Sequence, residues 1–239
     1  MSPHCFITDA LVIGSMRYAE ADRIVTLYTR DRGRLGAIAK GIRRTKSKTG
    51  GRLEPFSLVR ASLHIGRGSL YTVTGVETLR TFQGVREELF RMEAGANLLS
   101  AVRRLFPGEE VSVPAFNLLV RGVAQLAETG DAAAAANAVL ATRLKLLVLL
   151  GYAPETGICA GCGCEGPFRG FSPGLGGVVC EACWIGDTGG SFSLSEGAVA
   201  TLRALLERSL TELEGLEIDD RAAAEVEQVL TQTLAYHGH

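Results

Sequence analysis

Cys159, Cys162, Cys180 and Cys183 stand in the pattern C-x2-C-x17-C-x2-C. A two-residue spacer lets two thiolates grip one ion from a tight turn, and two such knuckles supply the four corners of the tetrahedron that zinc prefers. Gly161 and Gly163 relieve crowding where the backbone folds around the ion. The expectation is one structural zinc ion. Four sulfurs fill its coordination sphere, whereas a catalytic zinc keeps a position open and takes His or carboxylate ligands. Cys164 breaks the spacing and is not counted as a ligand, although a swap with Cys162 stays open. A dithiol redox pair is the competing chemistry, but one C-x-x-C would suffice for it.

A second chemical signal is charge. Residues 1–80 hold fourteen Lys and Arg against six Asp and Glu, a net +8, while residues 81–239 hold eleven against twenty, a net −9. Lys40, Arg43, Arg44, Lys46, Lys48 and Arg52 fall within thirteen positions with no acid among them. A segregated basic block in a folded region suggests a surface for a polyanion, most commonly nucleic acid. The alternative is a solvated loop. Between residues 155 and 190 the only base is Arg169, which argues against a phosphate-binding role for the cysteine segment.

Other chemistries lack their residues. There is no Walker A sequence, no dinucleotide-binding glycine fingerprint and no H-E-x-x-H. His4, His64, His237 and His239 sit in no triad context. Asp9, Asp22 and Asp31 hint at a metal-dependent nuclease, but strand ends and turns account for them more simply, and Gly66-Arg67-Gly68 reads as a hairpin turn rather than a phosphate loop. The first residues show no cationic, then apolar, leader, and the most apolar stretch, Ala132 to Gly151, is interrupted by Asn137, Thr142, Arg143 and Lys145. A soluble, cytoplasmic protein is expected, in which six cysteines point to metal before disulfides.

These groups must be positioned by two kinds of element. Up to about residue 80, Phe6–Ser15, Arg23–Thr29, Leu35–Lys40, Leu53–Ile65 and Leu70–Val76 read as short strands separated by turns. Five such strands fit a small barrel, an OB-fold or an SH3-like barrel, with the basic run between the third and fourth. After Thr81 the apolar period lengthens. Helices are expected over Glu87–Phe106 (stripe Leu89, Met92, Ala96, Leu99, Val102), Pro114–Thr129 (Leu118, Val123, Leu126, Ala127), Asp131–Gly151, Ser195–Leu210 and Arg221–Tyr236. Phe168, Phe171, Pro173-Gly174 and Val178-Val179 suggest a hairpin between the cysteine pairs, making a zinc ribbon inserted between helices.

Ile7-Thr8-Asp9-Ala10-Leu11-Val12-Ile13, Tyr18-Ala19-Glu20-Ala21-Asp22-Arg23-Ile24-Val25, the run Gly33 to Arg44 and Leu53-Glu54-Pro55-Phe56 resemble the bacterial DNA repair and recombination mediator family RecO, and the helices and late cysteine pairs extend the resemblance over essentially the whole chain. The resemblance implies an α+β multidomain protein: an N-terminal five-stranded OB-fold over residues 1–80, a helical domain over 81–239, and a four-cysteine zinc insertion over 155–190. It implies binding of single- and double-stranded DNA, annealing of complementary strands, and partnership with RecR on strands coated by single-stranded-DNA-binding protein (SSB) so that RecA can load. It implies no covalent chemistry.

On such a barrel Arg34, Lys40, Arg43, Arg44, Lys46, Lys48 and Arg52 are the expected phosphate contacts. Tyr28, Phe56 and Tyr71 are candidates for base stacking, with a barrel-core role as the alternative for each. So few aromatics imply that phosphate contacts dominate, leaving bases free to pair. Arg121, Arg143 and Lys145 are conceivable partners for the acidic SSB tail. The competing functions are an RNA-binding accessory factor with a barrel and zinc ribbon, and a nuclease acting on DNA ends.

Overall fold

Alternation of buried and exposed side chains builds the first part of the chain. In a computed structural model, which describes residues 5–42, 51–66, 68–184, 186, 190–213 and 215–238, the strands are Cys5–Tyr18 (β1), Asp22–Thr29 (β2), Gly33–Ala39 (β3), Ser57–His64 (β4) and Tyr71–Thr81 (β5). They close into a barrel in the order β1-β2-β3-β5-β4. Every neighbouring pair is antiparallel except β3 and β5, which run parallel through Ala37↔Tyr71 and Ile38↔Thr72. This closed order is that of the OB-fold, so the choice left open against an SH3-like barrel is resolved. Val25 and Leu27, Leu35, Ala37 and Ala39, and Val59, Ala61 and Leu63 point inward at every second position and fill the barrel.

Two strands run longer than the sequence pattern suggests. β1 continues past Ser15 to Tyr18 because its end pairs with the start of β2, and β5 continues past Val76 to Thr81 along β4. β4 starts late, at Ser57 rather than Leu53. Leu53 is buried, but Phe56 takes a positive φ of 67° and donates its N–H to the Val12 carbonyl at 3.0 Å, so the chain turns before it pairs.

Gly84–Glu87 (α1), Leu89–Leu105 (α2) and Val113–Leu126 (α3) belong to the same compact unit as the barrel, Met1–Thr129. Ser112 caps α3 by accepting from the Ala115 N–H, with Pro114 in its first turn. The stripe expected to bury α2 is half wrong: Leu99 and Val102 are buried, but Leu89, Met92 and Ala96 are exposed. The helix turns Gly95 inward, where the Phe56 ring lies so close that a Cβ would come within 2.8 Å of it. Gly95 shares the buried face with Leu98, Leu99, Val102 and Leu105, and its lack of a side chain is what lets the Phe56 ring approach. On α3, Val123 and Leu126 are buried as expected, while Leu118 and Ala127 are half-buried.

The second unit, Gly130–His239, holds Ala132–Leu149 (α4), a small sheet of Phe168–Ser172 (β6), Gly177–Cys180 (β7) and Phe192–Ser193 (β8) in the order β7-β6-β8, then Glu196–Glu207 (α5) and Asp220–Tyr236 (α6). Asp131, Ser195 and Asp219 cap α4, α5 and α6. By length and composition alone α4 could cross a membrane, but half of it is buried and it packs against α5 and α6, as a core helix does. Arg143, one of the residues that interrupts its apolar run, pairs with Glu227 of α6 at 2.7 Å.

Tyr28 joins barrel and helices in the first unit. It lies on the outer side of β2, fully buried, with its ring centroid 5.4 Å from Phe106 and 6.5 Å from Phe116. Among the described residues its hydroxyl has no hydrogen-bond partner, and burial, followed by the nearby Glu110 charge, raises its pKa. Tyr28→Phe should therefore unfold in denaturant within about 1 kcal/mol of the parent, or be more stable, because it removes an unpaired buried hydroxyl. Tyr28→Ala should lose about 3–5 kcal/mol. Equal losses in the two variants would contradict this reading of the contact.

Candidate functional site

The sulfurs of Cys159, Cys162, Cys180 and Cys183 all lie within 4.8 Å of one another, and this is the metal-ligating cluster found among the described residues. Local hydrogen bonds shape both knuckles. Gly163 donates to the Cys159 carbonyl at 2.8 Å, Cys159 donates to the Cys164 carbonyl at 2.7 Å, and the Cys180 N–H points at the Cys159 sulfur at 3.3 Å. The second pair brackets a 3-10 turn, Glu181–Cys183, closed by the Trp184 N–H on the Glu181 carbonyl. At Gly161 a Cβ would lie 2.9 Å from the Cys183 sulfur, so only glycine leaves that corner free. Gly163 takes φ +78°, a left-handed turn that glycine adopts without strain. The β6–β7 hairpin holds the two knuckles together: Ala160 donates to Val178, and Glu155 exchanges backbone bonds with Gly176 and Val178.

The electrostatics call for a cation. Burial pushes the Cys159 thiol up, but the N–H groups of Cys180, Cys162 and Gly161 outweigh it and bring it down to about 6. The Cys183 N–H lowers Cys180. Cys183 is pushed up to about 12, first by its hydrogen bonds to Cys162 and Cys159. The Gly166 N–H pulls Cys164 down, yet the thiols of Cys162 and Cys180 beside it take it up to about 11. Thiols this close cannot ionise together unless a positive charge sits among them. Geometry agrees. Metal–sulfur bonds of about 2.3 Å give a tetrahedron with edges of about 3.8 Å, and Cys162 and Cys180 are 3.7 Å apart. The donor set and spacing fit a tetrahedral thiolate metal such as zinc.

The expected phosphate contacts divide into three groups. Arg43, Arg44, Lys46 and Lys48 lie outside the described residues. Lys40 and Arg52, at the two ends of that run, are exposed; Arg52 also donates to the Val76 carbonyl at 3.0 Å. Arg34 is engaged inside the unit: its guanidinium donates to the carbonyls of Arg103, at 3.2 Å, and Pro107, and its own N–H to Gly108. Among the stacking candidates, Tyr28 and Phe56 are buried, and Tyr71 packs edge-on to Phe6 at 5.5 Å while its hydroxyl donates to Glu109. The side chains left exposed at the end of β1 are Met16, Arg17 and Tyr18, which the pattern missed by ending that strand at Ser15. Their signal was alternation, apolar at 16 and aromatic at 18, carried past the expected strand end.

Residues offered for other chemistries have structural partners. Asp9 binds Arg60 through both oxygens, at 2.8 and 3.2 Å, Asp22 accepts from the Gly41 N–H at 2.7 Å, and Asp31 accepts from the Thr8 hydroxyl. Arg143 is committed to Glu227, and Lys145, its pKa lowered by burial, donates to the Leu206 carbonyl at 3.0 Å. Arg121 is exposed.

Two family models match in tandem: "Recombination protein O N terminal" over residues 1–82 and "Recombination protein O C terminal" over residues 86–238. Proteins called DNA repair protein RecO are similar across most of the chain. The one from Rubrobacter xylanophilus is 42% identical over 204 residues, covering 84% of this chain and 81% of its own. That from Nocardioides sp. is 40% identical over 233 residues, covering 95% and 91%. That from Symbiobacterium thermophilum is 35% identical over 230 residues, covering 93% and 88%.

Metal uptake should depend on pH with a defined sign. Cys183, held at about 12 in the metal-free cluster, keeps its proton through the neutral range and must release it on ligation. Cobalt affinity, followed by thiolate charge-transfer absorbance in a competition titration, should therefore fall at least about tenfold per unit as pH drops from about 8 to about 6. A flat profile would mean that the four sulfurs do not act as one ligand set.

Proposed function

The chain belongs to the RecO family of DNA repair proteins, and from that premise we propose that it is a non-enzymatic recombination mediator. It binds single- and double-stranded DNA, anneals complementary strands, and acts with RecR on SSB-coated strands to promote RecA loading. It works in the cytoplasm, at the nucleoid. The observation that carries this reading is a closed OB barrel inside the stretch with net charge +8, with exposed Lys40 and Arg52 where the basic run leaves and rejoins it. Lysine and arginine on phosphates give grip without sequence preference by releasing counterions, which suits a protein that must hold any strand while its bases pair.

The working division is a DNA-binding barrel over residues 1–80 and a helical domain over 81–239 for protein partners, with 155–190 as a metal-stabilised insertion. Arg43, Arg44, Lys46 and Lys48 join Lys40 and Arg52 as phosphate contacts. Arg34 contributes through the position of β3, since its guanidinium is already bonded to Arg103 and Pro107. Cys159, Cys162, Cys180 and Cys183 hold one zinc ion whose role is structural. The ion supplies the charge that lets four thiolates share one corner of a segment whose own buried cluster is small.

Two measurements test these assignments. Affinity for labelled oligonucleotides across a salt series, with annealing of complementary strands, should fall for all sequences alike in an Arg43→Glu, Arg44→Glu variant, with a log–log salt slope shallower by about 2. Unchanged affinity at matched salt would remove the basic run from the interface. Metal analysis should find one zinc per chain, lost in Cys159→Ser and retained in Cys164→Ser. Chelation should abolish exchange protection across the β6–β7 hairpin while DNA affinity stays within about twofold.

A further inference from the structure

The cysteine segment holds one thiol more than a tetrahedral site needs. Cys164 is not among the four residues whose sulfurs lie within 4.8 Å of one another, yet it belongs to the same assembly. Its thiol interacts with those of Cys162 and Cys180, two of the four corners. With Phe168, Cys183 and Trp184 it packs against the small buried cluster of Cys159, Val179 and Cys180. Cys162, two positions earlier, is exposed, whereas Cys164 is half-buried. The backbone fixes this placement. The Cys164 carbonyl accepts from the Cys159 N–H at 2.7 Å and the Cys159 carbonyl accepts from the Gly163 N–H at 2.8 Å, so residues 159–164 form one closed loop. Side chains two apart on an extended chain stand about 6.8 Å from each other. Gly163, at φ +78°, folds the chain between Cys162 and Cys164 and brings their thiols together instead.

We propose that Cys164 is a reserve ligand: where Cys162 is lost to the metal, the Cys164 thiol takes its corner, so that four thiolates still hold one ion. The inference rests on the zinc reading of the four-cysteine cluster and adds a fifth residue to it. An apolar side chain would fill the same space against Phe168 and Trp184; a thiol beside two ligand thiols can also replace one. Exposure says which ligand needs the reserve. Cys159 is 1% and Cys180 7% exposed and Cys183 is half-buried, so Cys162 is the ligand that oxidants and alkylating agents in solvent reach most readily. Position says why Cys164 can serve. Cys180 neighbours both thiols, 3.7 Å from Cys162, so the entering and leaving sulfurs approach the site along the same edge. The movement is one of the Cys164 side chain between staggered rotamers, with its anchored carbonyl left in place. Charge is conserved. The Cys164 sulfur gives up its proton as it forms its bond to the ion, and the Cys162 sulfur takes one up as its bond breaks.

The test titrates cobalt into the full-length protein and displaces it with zinc, comparing Cys162→Ala, Cys164→Ala and the double variant with the unaltered chain. Each metal-bound sulfur adds to the thiolate charge-transfer absorbance, so intensity counts sulfurs. Cys164→Ala should match the unaltered chain. Cys162→Ala should keep the four-sulfur intensity, one ion per chain and an affinity within about tenfold of the parent. The double variant should lose about a quarter of the intensity and bind at least about tenfold more weakly than Cys162→Ala. Equal intensity and affinity in Cys162→Ala and the double variant would overturn the reserve and leave the four-cysteine site standing. Loss of exchange protection across the β6–β7 hairpin in metal-loaded Cys162→Ala would overturn it as well. Loss of the metal in Cys164→Ala would overturn it from the other side, by making Cys164 a resident ligand. Failure of the unaltered chain to bind cobalt would bring down the zinc reading and the reserve with it.

Discussion

The barrel closes along the seam between β3 and β5, and that seam is short. Two residue pairs, Ala37↔Tyr71 and Ile38↔Thr72, carry the only parallel ladder of the barrel among the described residues. Without them β3 and β5 would be free edges, exposing unpaired backbone donors and acceptors. So short a ladder is held by side chains instead. Leu70 settles onto Gly36, and the Tyr71 hydroxyl reaches Glu109 in the connection between α2 and α3. Phe6 adds its ring edge-on to Tyr71, with the Arg32 guanidinium 4.0 Å from the Phe6 ring centroid. The helical connection thus clasps the seam, and the same clasp covers one half of the outer sheet face while leaving the other half open.

Both units commit cations to their own structure, through ion pairs and through bonds to backbone carbonyls. The first buries a continuous barrel interior and uses half-buried arginines to satisfy backbone carbonyls: Arg34 on Arg103 and Pro107, Arg103 on Ile13, Arg91 on Thr129 and Gly84. Those cations are structural even though they contribute to the basic balance. The second unit pairs its charges within itself, Arg143 with Glu227 and Arg221 with Glu225, while Arg203 donates to the Thr156 carbonyl at 2.6 Å, just before the first cysteine knuckle. Net charge alone therefore overstates the cations available to a ligand in either unit.

Strand period, turn residues and the cysteine spacing were legible in the sequence because each is a local property. β2 and β3 lie close to where alternation places them, and the four sulfurs converge as C-x2-C spacing requires. What was not legible depended on contacts distant in sequence. Nothing local indicates that Gly95 faces inward, since the ring that takes up the space beside it belongs to Phe56, 39 positions earlier. Nor does local pattern tell an arginine that binds a ligand from one that caps a carbonyl: Arg34 and Lys40 look alike in sequence, but Arg34 meets the α2–α3 connection and Lys40 meets solvent. Tyr28 and Tyr18 were separable in the same way only by what lies over them.

Trp184, the one tryptophan of the chain, follows directly on the last cysteine of the metal cluster, and its ring lies over Gly170 of β6. Excitation near the red edge of protein absorption would therefore address the ribbon alone, and its emission is a built-in spectroscopic reporter on metal occupancy and ribbon folding. The barrel, which has tyrosines but no indole, is silent at that wavelength. A solution study of this molecule can thus watch its two halves through separate optical channels without attaching a dye.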